Sequence, residues 1–308
     1  MITVQSISQY DKAHATAITI GTFDGVHIGH RKILERLINN SRTLGLKSVV
    51  LTFFPHPRMV LQQDTSIQLL NTVEEKIRIM KGLGLDYLIV HPFTKEFSRL
   101  SASEFVEDVL VGALRMKKII IGYDHRFGRN RNADINDLKD FGEALDFGVE
   151  EISAQEINDV SVSSTKIRKA LEQGDIQTAN TFLGYRYMLS GTIVRGKGLG
   201  KKLDFPTANL SIPETYKLIP KDGVYVVGSE INGTTVYGMM NIGFNPTFEG
   251  KVRTIETNFF GFDQNIYGQN LQIDIIDRIR DEYKFSSVEA LKAQLRKDRE
   301  VSLSIISK

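Results

Sequence analysis

Apolar residues recur along this chain in two rhythms, and the change between them divides it. Up to about residue 183, short continuous apolar runs alternate with segments of helical period. Ala17-Ile18-Thr19-Ile20 reads as a buried strand and is followed by a turn rich in Gly, Asp and His. A helix is predicted from about His30 to Leu44, where Ile33, Leu34, Leu37 and Ile38 share one face and Gly45 stands where a C-terminal cap belongs. Further strands are predicted over Ser48–Phe54, Tyr87–Val90 and Lys118–Ile121, with helices over Thr72–Leu83 and near Ser103–Val111. Alternation of this kind implies a parallel sheet covered by helices on both faces, an α/β Rossmann-like fold that binds ligands at the C-terminal strand ends.

From Met188 the period shortens to that of strands. Met188–Val194, Val224–Ile231, Thr234–Ile242, Thr254–Phe260 and Leu271–Ile279 all read as strands. Asn232-Gly233 forms a hairpin turn between two of them, because both residues tolerate positive φ. One helix closes the chain, with a capping box expected at Ser286 and Glu289 and an apolar stripe of Val288, Leu291 and Leu295. Many strands and one helix suggest a small antiparallel β-barrel with a C-terminal helix. The change of rhythm places a domain boundary near Gly184–Tyr187, giving domains 1–184 and 185–308, and 308 residues suit two domains.

Composition narrows the chemistry. The chain has no Cys, so disulfides, thiolate catalysis and Cys-ligated zinc are excluded. Its 39 basic and 37 acidic residues nearly balance, which disfavours a nucleic-acid partner. No apolar run is long enough to span a membrane and no signal peptide is evident, so the expectation is a cytoplasmic protein without a membrane partner. All six His lie in the first 125 residues, so chemistry in the C-terminal half must run without imidazole.

The first candidate site is Gly21-Thr22-Phe23-Asp24-Gly25-Val26-His27-Ile28-Gly29-His30, which follows a strand and opens a helix. Free N–H groups and the helix dipole make such a junction an anion site. His27 and His30 are spaced so that both rings reach one phosphate, where they can donate to oxygens that gain charge during transfer at phosphorus. A metal-binding pair is disfavoured, because helical metal ligands prefer i, i+4 spacing. Ser163-Ser164-Thr165-Lys166-Ile167-Arg168 also suits phosphate binding at a helix start; taken alone it reads rather as a plain Ser/Thr cap.

The second candidate site begins at Gly191. Gly191 to Lys197 matches the opening of a P-loop, but Gly198 stands where the magnesium-binding hydroxyl belongs, so that reading is rejected. Gly196-Lys197-Gly198-Leu199-Gly200-Lys201-Lys202 remains a cationic Gly-rich loop that can fold over polyphosphate. Thr207 and Asn209, two apart on a strand, face the same side and can offer oxygen ligands to a hard cation, although Pro206-Thr207-Ala208-Asn209 by itself also reads as a turn. Glu256 can accept a proton from an attacking alcohol, or can be an exposed strand carboxylate.

His27-Ile28-Gly29-His30 resembles the signature of the nucleotidyltransferase superfamily that includes class I aminoacyl-tRNA synthetases, and the longer string resembles the adenylyltransferase domain of bacterial bifunctional riboflavin kinase/FAD synthetases. Thr52 to Arg58, Gly122 to Gly128 and Ser163 to Arg168 are similar to further motifs of that domain. Gly191 to Asn209, Asp222 to Tyr225, Asn241 to Thr247, Glu256-Thr257 and Tyr267-Gly268 are similar to the riboflavin kinase domain, in the family's order. The resemblance implies phosphorylation of riboflavin to FMN, releasing ADP, and adenylylation of FMN to FAD, releasing pyrophosphate, with ATP as co-substrate and Mg2+ as cofactor. It implies catalytic roles for His27, His30 and Glu256. It puts ATP of the first site on Gly21, Phe23, Asp24, Gly29, Ser164, Thr165 and Arg168, and the flavin on His56, Pro57, Asp124 and Arg126. In the kinase it implies ATP contacts from Gly196, Lys197, Gly198, Lys201, Thr207 and Asn209, the last two also holding magnesium. The chain departs from the family pattern at Lys201, where Arg is usual, Asp204, where Gly is usual, and Asn258, where His is usual.

Overall fold

The computed structural model describes residues 1–62, 66–123, 125–153, 162–196, 198, 200, 203–247 and 250–307, apart from the side chains of 245–247 and 250–252. The chain forms two compact units, Met1–Ser164 and Thr165–Lys308.

The first unit is built on six parallel strands: β1 (Ile2–Val4), β2 (Thr16–Ile20), β3 (Lys47–Phe53), β4 (Tyr87–His91), β5 (Met116–Gly122) and β6 (Gly148–Ile152), in the order β1-β4-β3-β2-β5-β6. The apolar strands read as continuous runs because alternate residues enter two different cores. Ile18, Ile20, Val49, Leu51, Ile89, Ile119 and Ile121 pack on one side with Phe105, Leu110 and Leu138. Ala17, Val50, Leu88, Val90 and Ile120 pack on the other with Leu34, Leu37, Ile38 and Met80. Helix α1 (Ile28–Leu44) ends at Gly45, whose φ of 66° gives the left-handed cap expected there. A short helix α2 (Pro57–Leu61) follows β3, and α3 (Val73–Lys81) starts from a capping box of Thr72 and Glu75. Helix α4 (Ala102–Glu104) continues as wider π-turns over Phe105–Ala113, and α5 (Ile135–Leu145) precedes β6. The apolar pattern did not disclose β1, β6 or α5; β1 is three residues long and β6 carries two Glu, so neither presents an apolar run.

Helix α6 (Ser164–Gln173) spans the division between the units, which comes earlier in the chain than the change of apolar rhythm. Helix α7 (Ile176–Leu183) belongs to the second unit, where Asn180 ties it to the barrel: its amide donates to the Ile275 carbonyl at 3.0 Å and its oxygen accepts from Tyr187 N–H at 2.7 Å. Six strands close the barrel: β7 (Met188–Val194), β8 (Ala208–Ser211), β9 (Gly223–Ile231), β10 (Thr234–Thr247), β11 (Gly250–Phe259) and β12 (Asn270–Arg280), in the order β10-β11-β8-β7-β12-β9, each antiparallel to its neighbours. Helix α8 (Val288–Ile306) packs Leu295 against a core containing Phe205, Val224 and Met239. Its cap differs from the sequence expectation. Ser287, not Ser286, accepts from Ala290 N–H at 3.1 Å, and Val288 is 54% exposed rather than part of a buried stripe. What the helix buries instead is Asp298, which takes a bidentate ion pair from Arg280 of β12 at 2.7–3.1 Å.

Candidate active sites

In the first unit the turn between β2 and α1 is bent into conformations that side chains rarely adopt: Phe23 has φ 45°, Gly25 86° and Val26 37°. Hydrogen bonds from neighbouring segments hold it there. The buried Asp24 carboxylate accepts from the Leu70 and Asn71 N–H groups at 2.9 and 3.4 Å. The Ser164 hydroxyl donates to the Asp24 carbonyl at 2.8 Å, so the two candidate phosphate motifs meet directly. The Thr22 carbonyl accepts from the Thr52 hydroxyl at 3.2 Å and from the Lys76 ammonium at 2.6 Å.

His27 is the N-cap of α1, and its Nδ1 accepts from His30 N–H at 3.3 Å. That bond leaves the proton of neutral His27 on Nε2, where it can donate. The His30 ring stacks on His27, with centroids 3.6 Å apart and planes 16° from parallel, and meets the edge of Phe23. Burial pushes His27 down to about 4, against the pull of Asp24. His30 is held well below its usual value, by burial first and then by His27 and Lys76. Both rings are therefore neutral at pH 7, and His30 Nδ1 is buried without a hydrogen-bond partner. Gly29 is buried within the first turn of α1. Thr165 and Arg168 continue along α6 in the second unit.

On the flavin-side motifs, His56 caps α2 by accepting from Arg58 N–H at 3.2 Å, and Pro57 takes the first helical position. Arg126 is exposed, and Asp124 lies outside the described residues. A chain of ring contacts runs through the same unit from Phe93 and Phe53 through Phe97 and Phe105 to Phe127 and His125, with centroids 5.5–6.3 Å apart. The local pattern singled out neither Phe93, Phe97 and Phe105 nor Lys76. The rings were hidden among other apolar positions, and Lys76 read as an ordinary polar residue of α3.

In the second unit, sheet register brings together what the sequence separates. Glu256 on β11 pairs across the ladder with Asn209 on β8. The Thr207 hydroxyl donates to Glu256 Oε2 at 3.2 Å, and the Thr254 hydroxyl lies 3.4 Å from Oε1. Two described glycines of the Gly-rich segment, Gly196 and Gly200, lie against this group. A Cβ on Gly196 would stand 2.2 Å from Asn209 Nδ2, and one on Gly200 would stand 2.3 Å from the Phe205 carbonyl and 3.2 Å from Thr207 Oγ1. Gly198 has φ +70° and open space around it. Lys197 and Lys201 lie outside the described residues.

Comparison with known proteins agrees with this two-site layout. The FAD synthetase family model matches residues 9–166, and the riboflavin kinase family model matches residues 183–306. The chain belongs to the bifunctional riboflavin kinase/FMN adenylyltransferase family. It is similar to the bifunctional riboflavin kinase/FMN adenylyltransferase of Listeria monocytogenes, at 37% identity over 94% of this chain and 92% of that one. The protein of the same name from Bacillus subtilis is 35% identical over 95% and 93%. A crystal structure from Streptococcus pneumoniae, named as a macrolide-efflux protein, superposes with a TM-score of 0.88 at 32% identity, covering 98% of each chain. Among the described residues here, no helix is long and apolar enough to cross a membrane.

Two of the three departures read from the sequence, Asp204 and Asn258, have local explanations; Lys201 lies outside the described residues. Asp204 stands where Gly is usual and keeps the left-handed backbone, with φ 66°. Its exposed carboxylate is paired with Lys292 of α8 at 3.0 Å, so the added negative charge beside the loop is matched. Asn258 stands where His is usual, and its amide donates to the Pro206 carbonyl at 2.7 Å, bracing the segment that carries Thr207.

Proposed function

We propose that the two sites act in sequence on one flavin. The kinase reading rests on one observation above all: Thr207, Asn209 and Glu256 come together, with Gly196 packed against the Asn209 amide. There the ribityl hydroxyl of riboflavin attacks the γ-phosphorus of ATP, Glu256 accepts the hydroxyl proton, and ADP leaves. Thr254 and Thr207 orient the carboxylate from its two oxygens. The hydroxyl of Thr207 and the amide oxygen of Asn209 are hard oxygen donors suited to Mg2+. Among the described residues no three His, Cys, Asp or Glu side chains cluster for a metal, so such an ion would complete its shell from ATP phosphates and water. When bound, Mg2+ would neutralise phosphate charge.

In the N-terminal site a phosphate oxygen of FMN attacks the α-phosphorus of a second ATP, forming FAD as pyrophosphate leaves. Neutral His27 donates from Nε2, and His30 beside it faces the same charge. Gly21, whose own N–H is given to the Leu51 carbonyl, and Phe23 and Asp24 line the phosphates from the turn, and the N–H at the start of α1 at Gly29 binds a phosphate oxygen, with Ser164 holding the turn in place. We assign Thr165 and Arg168 to the same ATP, and His56, Pro57, Asp124 and Arg126 to the flavin. We assign the protein to the cytoplasm, a reading supported by the ATP that both steps would use.

The test is chromatography of the products from riboflavin, ATP and Mg2+. FMN should appear first and FAD second. A chain in which His27 and His30 are both Ala should still make FMN but no FAD. FAD formation at the wild-type rate by that double variant would refute the assignment of the histidines.

A further inference from the structure

Lys76 occupies a position that stability alone does not explain. It lies in the first turn of α3, where the helix dipole opposes a cation, and it is 9% exposed. An apolar side chain of similar length would avoid the cost of burying the charge. The ammonium reaches the Thr22 carbonyl at 2.6 Å, in the turn whose Phe23 and Val26 hold strained positive φ. The charged and titratable groups around it are Asp24 from that turn, His30 from α1 with His27 stacked upon it, and Glu75 on its own helix. The Glu75 carboxylate accepts from Thr72 N–H in the cap. Backbone strain of this kind persists only where surrounding contacts over-determine it.

We propose that Lys76 is a positioning residue of the adenylyltransferase site, whose ammonium fixes the Thr22 carbonyl and sets the charge beside His30, so that FAD formation requires Lys76 to be protonated. This rests on the reading of the N-terminal unit given above. Loss of the charge weakens the bond to the carbonyl, since a neutral amine is the poorer donor, and removes the positive charge that interacts with buried Asp24, which loosens the turn that receives the phosphates. Burial lowers Lys76 to about 8, with Asp24 pulling the other way. The sign follows: Lys76 is charged below that pH and neutral above it, while His27 and His30 stay neutral throughout the alkaline range.

The experiment measures kcat and KM for FAD formation from FMN and Mg-ATP by the full chain, from pH 6.5 to 9.5, beside FMN formation by the same preparations. Wild-type kcat for FAD should fall about tenfold between pH 7 and pH 9. Lys76→Met should lose about 10²-fold at pH 7, as expected of a misplaced site, and show no alkaline fall. Lys76→Arg keeps its charge over the whole range, so it should show no alkaline fall either. A folded Lys76→Met chain with kcat within twofold of wild type overturns the proposal, as does an alkaline fall that persists unchanged in Lys76→Arg. Should Lys76→Met not fold, or Lys76→Arg be inactive, the wild-type profile decides, and constant kcat from pH 7 to 9 overturns it. A wild-type chain that makes FMN but no FAD at any pH defeats the adenylyltransferase reading itself, which separates the two failures.

Discussion

Replacing Glu256 by Gln isolates proton transfer from binding in the kinase unit. The carboxylate has two differentiated oxygens: Oε2 accepts from the Thr207 hydroxyl at 3.2 Å, and Oε1 lies 3.4 Å from the Thr254 hydroxyl. A Gln side chain can present its carbonyl oxygen to Thr207 and donate from its amide to Thr254, since a hydroxyl both donates and accepts. The local geometry therefore survives while the proton acceptor is lost. General-base assistance is typically worth ~10²–10⁴-fold, so kcat for FMN formation should fall by about 3–5 kcal/mol of barrier. KM for riboflavin and Mg-ATP should change little, and FAD formation from FMN should persist. The assay is single-turnover conversion of riboflavin, with FAD formation from FMN as the internal control. Asp263→Asn and Asp281→Asn test the rival carboxylates. Lys221 and Arg278 hydrogen-bond the exposed Asp281 and hold it down at about 2, which makes it a poor base. Near-normal kcat for Glu256→Gln, with one of the Asn variants inactive instead, would refute the assignment.

Gly196→Ala would put a methyl 2.2 Å from the Asn209 amide; kinase turnover should drop about 10²-fold by displacement of that group, with FAD formation from FMN unchanged in the same assay. Asp298→Ala strands Arg280 beside a buried cavity, and the second unit should lose about 3–5 kcal/mol, measured by urea unfolding with far-UV circular dichroism because the chain has no Trp. Acid should weaken the first unit. His27 is neutral in the folded chain down to about 4, whereas an unfolded His takes up its proton near 6.5. Unfolded chains thus bind more protons between these values, and His27 alone should lower stability by about 3 kcal/mol as pH drops from 6.5 to 4, with His30 adding in the same direction. Unfolding curves across that range should show this slope for wild type and a smaller one for His27→Gln.

The architecture was legible because it is written in local periods. Ala17–Ile20, Ser48–Phe54 and Lys118–Ile121 read as apolar strands between helical segments, and only a sheet with two covered faces accommodates such runs. The Asn232-Gly233 turn, the Gly45 cap and the strand–turn–helix setting of His27 and His30 likewise follow from neighbouring residues. Elements without an apolar period escaped notice: β1 and β6 are short or polar, and α8 begins one residue later than its apparent cap because Ser287 makes the bond.

Spacing along the chain was enough to set the two kinds of layer and the order of the two candidate sites, since both depend on local pattern. Tertiary structure decided which distant groups share a site. Ladder register, not sequence distance, sets Glu256 opposite Asn209, and the fold sets Gly196 against the same amide. Packing of α3 below the β2–α1 turn converts Lys76 from a surface-type residue into a buried cation. Asp204 looked like a charge intruding on a phosphate loop until the fold set Lys292 beside it. Burial and charge pairing are properties of the assembled core, where dielectric and neighbours are fixed by contacts that no local pattern encodes.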